Sequence, residues 1–501
     1  MDGVFLNEDC NHFLFTRASE GFDKITIEDN IEFIDQYKDT GITDFLINLS
    51  TSVTFFKSER NQSIYDIYKQ IQKNGDLYDE YKRTKNVMLK SWKLFCDMYD
   101  SGFDYRKIWI DRLREIGIHP WASIRMNDIH ECSDEKSILL GDFYNGNRDK
   151  TVGVHKGKLM DYYDYALDYT YSDVRMQYLS IISEVLDTYD VDGLELDFMR
   201  EIYSFARGRE YKGKEIMNEF VHMVASLVWQ AERERKHRIK LAVRVPSSIE
   251  MSMRLGYDVN EWISSGWIDH VTISPRWATS DGDMNVELWR SLLKTTPVTL
   301  GCGIEILCNG LRKQRGPVNT KETVYGYSKA YSDLGADYIY LFNYMDGLNV
   351  KDTDSVFEKN NYNEMLKTIG DAEALKKCKR RHIVTYNDVS CVGYSVKHYL
   401  PIITGDGEVK TFRILTGSTK GRKIKMLIGC TEKVLPSDIQ LWLNTKQCYL
   451  SLEDNLIKLP APQDLYYYSA EISSENEEYV FVGEISSESE ITIEWIEMDI
   501  E

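Results

Sequence analysis

A short acidic segment in the middle of the chain carries the residues best suited to acid–base or nucleophilic chemistry. It reads Asp192-Gly-Leu-Glu-Leu-Asp197, and its alternation of apolar and polar residues is typical of a strand, in which every second side chain points to the same face. Glu195 and Asp197 therefore share one face, with Asp197 nearer the carboxyl end. Because a buried carboxylate without a partner is costly, the pair predicts either a reaction centre or an ion-pair network.

A second candidate carboxyl group ends a later apolar run. Residues 298–305 read Val-Thr-Leu-Gly-Cys-Gly-Ile-Glu, so Gly301, Gly303 and Glu305 share one face of a predicted strand. Two small residues below a carboxyl group predict room for a ligand beneath Glu305. The alternative interpretation is an ion pair between Glu305 and an arginine at the rim, the edge at which the predicted strands end.

Two carboxyl groups from different strands are what the hydrolysis of a glycosidic bond requires. One group protonates the leaving oxygen, while the other attacks the anomeric carbon or activates water. We therefore predict that Asp197 is the nucleophile or base and that Glu305 is the general acid. Glu195 lies one layer deeper and is predicted to orient or tune Asp197, and Asp128 is the alternative second carboxyl group.

Polar and aromatic residues end most of the other apolar runs. Amide and guanidinium groups suit sugar hydroxyls, and aromatic rings suit stacking on the faces of sugars. For each single arginine, an ion pair with a neighbouring acid is an equally good interpretation. The predicted substrate-binding residues are Arg17, Arg125, Asn127, Asp128, Arg200, Arg244, Arg276, Trp277, Asn343 and Tyr344.

These residues need a frame that brings strand ends together. Eight short runs rich in apolar and β-branched residues predict buried strands, and helical patterns separate them. Thr26-Ile-Glu-Asp29 resembles a capping box that starts one of the helices. Strands that alternate with helices pair in parallel, so the pattern predicts an α/β fold, a (β/α)8 TIM barrel over residues 1–376. The predicted strands are residues 12–17, 43–49, 120–126, 191–198, 239–245, 268–274, 297–304 and 337–343.

Two connections of the predicted barrel are long. Residues 50–103 follow the second predicted strand, and residues 128–171 follow the third. Both leave the carboxyl ends of strands, where barrels build their active sites. They are interpreted either as insertions that shape the substrate site or as surface packing.

The pattern changes in the last part of the chain, residues 377–501. Apolar and polar residues alternate there over 411–415, 423–428, 439–443 and 491–496, with turn sequences between them. This alternation predicts a C-terminal antiparallel β-sandwich domain. Such a domain either braces the barrel or binds carbohydrate, and bracing is the favoured interpretation.

Charge and composition exclude several classes of partner. The net charge of −19 disfavours nucleic acid and anionic membranes. No apolar stretch reaches the ~18 residues of a membrane span, and the start lacks a basic and apolar leader, so we predict a cytoplasmic protein. The nine cysteines are scattered without a CxxC pair, which favours reduced thiols. A homo-oligomer is compatible with this composition.

Sequence motifs for other chemistries are absent. There is no GxSxG, no HExxH and no Walker loop, and Gly301-Cys-Gly303 is too short for a dinucleotide fingerprint. We therefore predict no cofactor and no metal. The weaker alternative is a metal site in which His130 and His155 join Asp128.

Five segments of the predicted barrel form a recognisable set, namely WASIRMND at 121–128, YDVDGLELDFMRE at 189–201, VRVP at 243–246, SPRWAT at 274–279 and YLFNY at 340–344. Together they resemble a bacterial family usually labelled family-10-like glycosyl hydrolase or uncharacterised glycoside hydrolase. The resemblance covers roughly residues 12–346 and implies a TIM barrel followed by a C-terminal β domain, with glycosidase activity. The fourth strand lacks the Asn-Glu pair of true xylanases, and its closing Asp197 resembles the nucleophile position of several α-glycosidase clans.

The leading hypothesis is a glycoside hydrolase that cleaves an O-glycosidic bond in an oligosaccharide or glycoconjugate by means of two carboxylates. One alternative is a non-catalytic carbohydrate-binding protein on a degenerate barrel. Another is a metal-dependent barrel lyase or isomerase. Paired inward acids at a barrel rim favour the first, because a scaffold has little use for them.

Overall fold

A closed barrel of eight parallel strands forms the first part of the molecule. The computed structural model describes residues 3–134, 137–153, 163–312, 317–345, 359–389, 391, 398–453, 460–473 and 477–501. The barrel strands are β1 (Gly3–Glu8), β2 (Ile42–Ser50), β3 (His119–Arg125), β4 (Gly193–Asp197), β5 (Lys240–Pro246), β6 (His270–Ser274), β7 (Thr299–Glu305) and β8 (Tyr338–Phe342). They follow one another in chain order, and β1 closes the barrel by pairing with β8. The predicted TIM barrel is therefore confirmed.

The prediction of the first strand was wrong. Residues 12–17 belong to a helix, α1 (His12–Ser19), and the strand lies upstream of it. Phe13, Leu14 and Arg17 are buried on this helix, at a spacing that matches one helical face. All six residues of β1 are buried, so the strand shows no alternation that would mark it. Arg17 consequently lies on a helix and does not end a barrel strand.

Helices connect the strands and cover the outside of the barrel. At the predicted capping box, Thr26 accepts a hydrogen bond from the backbone N–H of Asp29, and the Asp29 carboxylate accepts one from the N–H of Thr26. None of the described helices is long and apolar enough to cross a membrane. The helices are α1, α2 (Ile27–Asp35), α3 (Ile64–Lys73), α4 (Gly75–Thr84), α5 (Asn86–Asp100), α6 (Tyr105–Glu115), α7 (Gly141–Gly146), α8 (Ser172–Thr188), α9 (Glu210–Arg235), α10 (Ile249–Arg254), α11 (Val259–Ser264), α12 (Val286–Leu293), α13 (Lys321–Leu334), α14 (Lys359–Gly370) and α15 (Ala372–Lys377).

The glycines of β7 make room for other side chains of the barrel. A Cβ at Gly301 would lie 2.1 Å from the ring of Tyr338, and a Cβ at Gly303 would lie 2.4 Å from the hydroxyl of Ser274. Both positions are thus already filled by neighbouring strands. The prediction that these glycines leave space for a ligand beneath Glu305 was wrong.

The amino-terminal end of the barrel contains a cavity of about 500 Å³. Its lining is rich in paired charges: Arg114 contacts Asp190 at 2.9 Å and Asp192 at 2.7 Å, and His119 also contacts Asp192. Because the amino-terminal end of a TIM barrel serves stability and the carboxyl end serves chemistry, we assign this cavity to the packing of the barrel.

Two antiparallel sheets form the C-terminal part, as the alternating pattern predicted. One contains β10, β18, β12, β16 and β15 in that order, with β9 paired to β18, and the other contains β11, β17, β13 and β14. Their apolar faces share a core that includes Met426 and Ile428 of the first sheet and Leu441 and Ile485 of the second. The strands are β9 (Arg380–Ile383), β10 (Ile402–Thr404), β11 (Lys410–Leu415), β12 (Lys423–Cys430), β13 (Ile439–Leu443), β14 (Lys446–Cys448), β15 (Ser451–Glu453), β16 (Tyr466–Ser473), β17 (Val480–Ser487) and β18 (Ile491–Ile500).

Candidate active site

Asp197 is held by an arginine of the next strand. It ends β4 and pairs in register with Arg244 of β5. Nη1 of Arg244 donates to both carboxylate oxygens, at 3.2 and 3.1 Å. The same guanidinium donates to Oγ of Ser274 at 3.1 Å and lies 3.8 Å from the ring centroid of Phe342. Both charged side chains are buried, so this network fixes the Asp197 carboxylate in one orientation.

Glu195 lies beneath Asp197 on the same strand. Its Oε1 accepts hydrogen bonds from the hydroxyls of Ser123 at 2.8 Å and Tyr340 at 2.9 Å. Its Oε2 is buried without a hydrogen-bond partner among the described residues. Burial, followed by the charge of Asp197, raises the pKa of Glu195 to about 8. A neutral Glu195 next to a charged Asp197 fits the predicted supporting position.

Glu305 at the end of β7 is a buried carboxyl group that is held by one oxygen only. Its Oε1 accepts from Nδ2 of Asn343 at 2.8 Å and from the N–H of Ile306 at 3.0 Å. Its Oε2 has no hydrogen-bond partner in the described part of the chain. Burial raises the pKa of Glu305 to about 8, and the hydrogen bond from Asn343 opposes the rise. At neutral pH this group carries a proton that it can donate.

Further polar residues fix the end of β7. Nδ2 of Asn319 and the hydroxyl of Tyr344 donate to the Glu305 carbonyl oxygen at 2.8 and 3.1 Å. The hydroxyl of Tyr362 in turn donates to the carbonyl of Tyr344 at 2.7 Å. The side chain of Tyr344 is fully buried. The sequence analysis predicted that Tyr344 binds the substrate. In the structure its ring is buried and its hydroxyl supports Glu305, so the ring is not open for stacking on a sugar.

Arg125 at the end of β3 joins two acids of neighbouring loops. It donates to Asp9, which directly follows β1, and to Oδ2 of Asp128 at 3.0 Å. Although burial opposes ionisation, Arg125 lowers the pKa of Asp9 to about 2. The Arg125 guanidinium therefore takes part in ion pairs rather than standing free.

Asp128 also holds a histidine–arginine pair. Nδ1 of His130 lies 2.6 Å from Oδ1 of Asp128, and Nε of Arg200 lies 3.5 Å from Oδ2. Nε2 of His130 lies 2.5 Å from Nη2 of Arg200. The histidine and the arginine thus contact each other and the same carboxylate. Against the effect of burial, His130 and Arg200 hold the pKa of Asp128 well below its usual range, so Asp128 is a poor second acid.

The loop after β6 brings an aromatic ring to the rim. Nη2 of Arg276 donates to Oε2 of the buried Glu201 at 2.9 Å. Burial raises the pKa of Glu201, and Arg276 opposes the rise. The Arg276 guanidinium carbon also lies 5.3 Å from the ring of Trp277. Trp277 is 39% exposed, so part of its ring is open to solvent at the rim.

A residue from outside the barrel holds this loop in place. Asp388 lies between β9 and β10, and its carboxylate accepts hydrogen bonds from the backbone N–H groups of Arg276, Trp277 and Ala278 at 2.7, 2.8 and 2.7 Å. The chain that leads into the β-sandwich thus takes part in the candidate site. This contact supports the bracing interpretation of the C-terminal part.

Two predicted substrate-binding residues make structural contacts with other parts of the protein. Nδ2 of Asn127 donates to the carbonyls of Leu167 and Tyr203, and its Oδ1 accepts from the N–H of Leu167, so the amide joins two loops. The guanidinium of Arg17 packs against Phe13, 4.9 Å from its ring centroid, on the outer helix α1.

The described residues contain no group of three or more His, Cys, Asp or Glu side chains that could hold a metal ion. His130 contacts Asp128 directly and has the cationic Arg200 on its other nitrogen. A cation next to a second cation is disfavoured. His155, the other histidine of the metal hypothesis, lies outside the described residues.

Several residues of the site were missed by reasoning from the sequence. Asp9 was missed because the first strand was misplaced. Glu201 directly follows Arg200 in the segment that carried the resemblance, and its position after a strand end could have identified it. Asp388 has no local signal, because its partners lie more than 100 residues away.

No family model matches the chain, and no curated protein has a matching sequence. Solved structures that are similar in fold include a cycloisomaltooligosaccharide glucanotransferase from Paenibacillus sp., with 10% identity, a TM-score of 0.32 and coverage of 99% of this chain and 57% of that chain. An alpha-L-fucosidase from Paenibacillus thiaminolyticus has 12% identity and a TM-score of 0.42, with 76% and 51% coverage. The PgaB (BpsB) glycoside hydrolase domain from Bordetella bronchiseptica has 10% identity and a TM-score of 0.44, with 74% and 99% coverage.

The chain spans little more than half the length of the first two of these proteins. The neighbours are barrel glycoside hydrolases or glycan-processing enzymes, but similarity at this level carries no argument about activity. The resemblance to family-10-like glycosyl hydrolases stays a prediction.

Proposed function

We propose that this protein is a glycoside hydrolase in which Glu305 is the general acid and Asp197 is the nucleophile or the base. The observation that supports this most is the state of Glu305. One of its oxygens is fixed by Asn343, the other has no partner among the described residues, and burial raises the pKa of the group to about 8. An acid with a pKa near the working pH is well matched to proton donation.

In the proposed reaction Glu305 donates its proton to the glycosidic oxygen while the bond between that oxygen and the anomeric carbon breaks. Asp197 either forms a bond to the anomeric carbon, which water later displaces, or removes a proton from the attacking water. Arg244 orients the Asp197 carboxylate through its two hydrogen bonds. Glu195 lies beneath Asp197, and its raised pKa keeps it protonated. It therefore places no second negative charge beside Asp197.

The charge balance at the rim favours an uncharged substrate. Four arginines at the ends of described barrel strands, or in the loops directly after them, each have a carboxylate partner, so none of these four is left to neutralise an acidic sugar. The exposed part of the Trp277 ring adds a surface against which a sugar ring can pack. The pairs are Arg125 with Asp9 and Asp128, Arg200 with Asp128, Arg244 with Asp197, and Arg276 with Glu201.

The test is a screen of 4-nitrophenyl and methyl glycosides and of neutral oligosaccharides, with Glu305→Gln and Asp197→Asn beside the wild type. A nitrophenolate leaves without help, whereas a methoxide needs a proton. Glu305→Gln should therefore lose activity on the methyl glycoside by 10²–10⁴-fold, the usual contribution of a general acid, and keep far more activity on the nitrophenyl glycoside. Asp197→Asn should lose activity on both substrates.

A matched control is Asp44→Asn, which removes a buried acid at the opposite end of the barrel, where Asp44 accepts from Trp121. This variant should keep its turnover. The assignment is wrong if Glu305→Gln loses both glycosides equally or if Asp197→Asn turns over normally.

One observation favours the alternative, a carbohydrate-binding barrel without catalysis. Asp197 and Glu305 are 0% and 1% exposed, as in a structural ion network. This second candidate predicts that free sugars bind, measured by calorimetry, while no glycoside of the screen is cleaved, and that Asp197→Asn leaves binding intact.

A further inference from the structure

Asn48, at the end of β2, is a buried amide that makes no hydrogen bond in the described structure. Its side chain is 0% exposed, and both Oδ1 and Nδ2 lack a partner among the described residues. A buried amide without hydrogen bonds costs about 1–3 kcal/mol. The buried amide of Asn30 is satisfied by contrast: it donates to Thr26 and accepts from Trp109.

The side chain of Asn48 faces the inside of the barrel. Leu46, two residues earlier, packs in the interior cluster with Trp121 and Tyr340, and side chains two apart on a strand share a face. Asn48 pairs in register with Ser123, whose hydroxyl donates to Glu195. The register of β2 is irregular directly after Asn48. Bulges of this kind often occur next to active sites, where they redirect a side chain.

The layers of the barrel place Asn48 level with Asp197. In an eight-stranded barrel each interior layer takes one residue from every second strand. Following the registers, Asn48 pairs through Ser123 with Glu195, and the barrel's stagger of about one residue per strand moves the layer up to Asp197. The same rule puts Asn48, Asp197, Ser274 and Phe342 in one layer. Arg244 contacts three of these four residues, namely Asp197, Ser274 and Phe342. Asn48 is the member of the layer that this guanidinium leaves free.

We propose that Asn48 is a substrate-binding residue that recognises a hydroxyl group of a neutral sugar next to Asp197. This inference rests on the proposed function and adds a specificity determinant to it. A carboxamide offers one donor and one acceptor side, and a sugar hydroxyl matches both. A carboxylate or phosphate, which only accepts, would leave Oδ1 unsatisfied and would also meet the negative charge of Asp197.

The test compares Asn48→Leu with Asn30→Leu, because the two asparagines differ in their partners. Leucine has a similar volume and no polar atoms. Replacing an amide without partners should leave the melting temperature unchanged or raise it, whereas Asn30→Leu should lower it. In activity assays on the 4-nitrophenyl glycoside that the wild type cleaves best, Asn48→Leu should raise KM by about ten-fold, the loss of one or two hydrogen bonds, while Asn30→Leu should leave KM unchanged.

Deoxy analogues of the same glycoside identify the hydroxyl group. With the wild type, one deoxy analogue should have a higher KM than the parent glycoside. With Asn48→Leu, that analogue and the parent glycoside should have the same KM. If Asn48→Leu melts lower than the wild type, Asn48 is structural and the inference fails. It also fails if the variant keeps the KM of the wild type on every analogue.

Failure of the proposed function gives a different result. In that case the wild type cleaves none of the glycosides, and binding of glucose, galactose, mannose and xylose is measured by calorimetry for the wild type and both variants. Binding that Asn48→Leu weakens would still support the site, and binding that it leaves unchanged, or no binding at all, would overturn it.

Discussion

Replacing Glu305 by glutamine should stabilise the fold at high pH, and the gain should shrink as the pH falls. Burial raises the pKa of Glu305 to about 8 in the folded protein, against an ordinary value of 4.5. Between these two values the folded chain binds a proton that the unfolded chain has lost. Stability falls with rising pH wherever the folded state binds more protons. The contribution of Glu305 is therefore fully present below pH 4.5 and is lost as the pH rises through 8.

The size of the effect follows from the two pKa values. At about 1.36 kcal/mol per pKa unit, the wild type should lose about 3–5 kcal/mol between pH 4.5 and 8 through this single group. Glutamine does not titrate, and its carbonyl can still accept from Asn343. The free energy of unfolding of Glu305→Gln minus that of the wild type should therefore grow by that amount across the range.

Urea unfolding, followed by tryptophan fluorescence from pH 4.5 to pH 9, measures this difference without any substrate. Glu32→Gln, which changes an exposed carboxyl group on α2, serves as the control, and its difference from the wild type should stay flat. A flat difference for Glu305→Gln as well would show that Glu305 titrates like an ordinary glutamate. The assignment of a proton-carrying acid would then fail.

Three further changes test the neighbourhood of this acid and the barrel beneath it. Asn343→Gly should move the basic limb of kcat/KM up by about one pH unit, because Asn343 donates to the ionised acid; glycine tolerates the φ of 64° at this position. Asp388→Asn should move the same limb down, since the charge of Asp388 raises the pKa of the acid; a limb that moves the other way, or not at all, would contradict the expectation for that variant. Gly301→Ala should cost about 1–3 kcal/mol in urea unfolding, because its Cβ would lie 2.1 Å from the ring of Tyr338, whereas Gly75→Ala, with nothing within 4 Å, should not overpack the structure.

The strands β2 to β8 could be predicted because each is a short apolar run between helical patterns. β1 could not, because all its residues are buried and the next apolar run, around Phe13 and Leu14, is a helix of similar composition. A short apolar run fits a buried strand and a buried helical face equally well. Only the pairing of β1 with both β2 and β8 decides the matter, and pairing is a long-range property.

In the candidate site, too, features that follow from local rules could be predicted and features that depend on distant contacts could not. The parity of β4 was enough to place Glu195 below Asp197, since alternation is a local rule. The glycines of β7 were misinterpreted because a missing side chain does not tell which neighbour fills its place, and here Tyr338 does. Asp388 could not be found at all, because its carboxylate meets the loop after β6 only once the chain has passed from the barrel to the first strands of the sandwich.

The burial that makes Glu305 a candidate acid also sets a condition on catalysis. A carboxyl group that is 1% exposed keeps its proton at neutral pH because water does not stabilise the ion, but a substrate cannot reach it in that state. Under the proposed function the rim would therefore have to open to admit the sugar, and water that entered on opening would lower the pKa of Glu305 towards its ordinary value. The acid regains its proton-carrying state only when the site closes over a bound sugar that excludes water again. The leaving oxygen of a sugar that fills the layer of Asp197 completely should thus be protonated faster than that of a smaller sugar with the same leaving group. The larger sugar leaves less water beside Glu305.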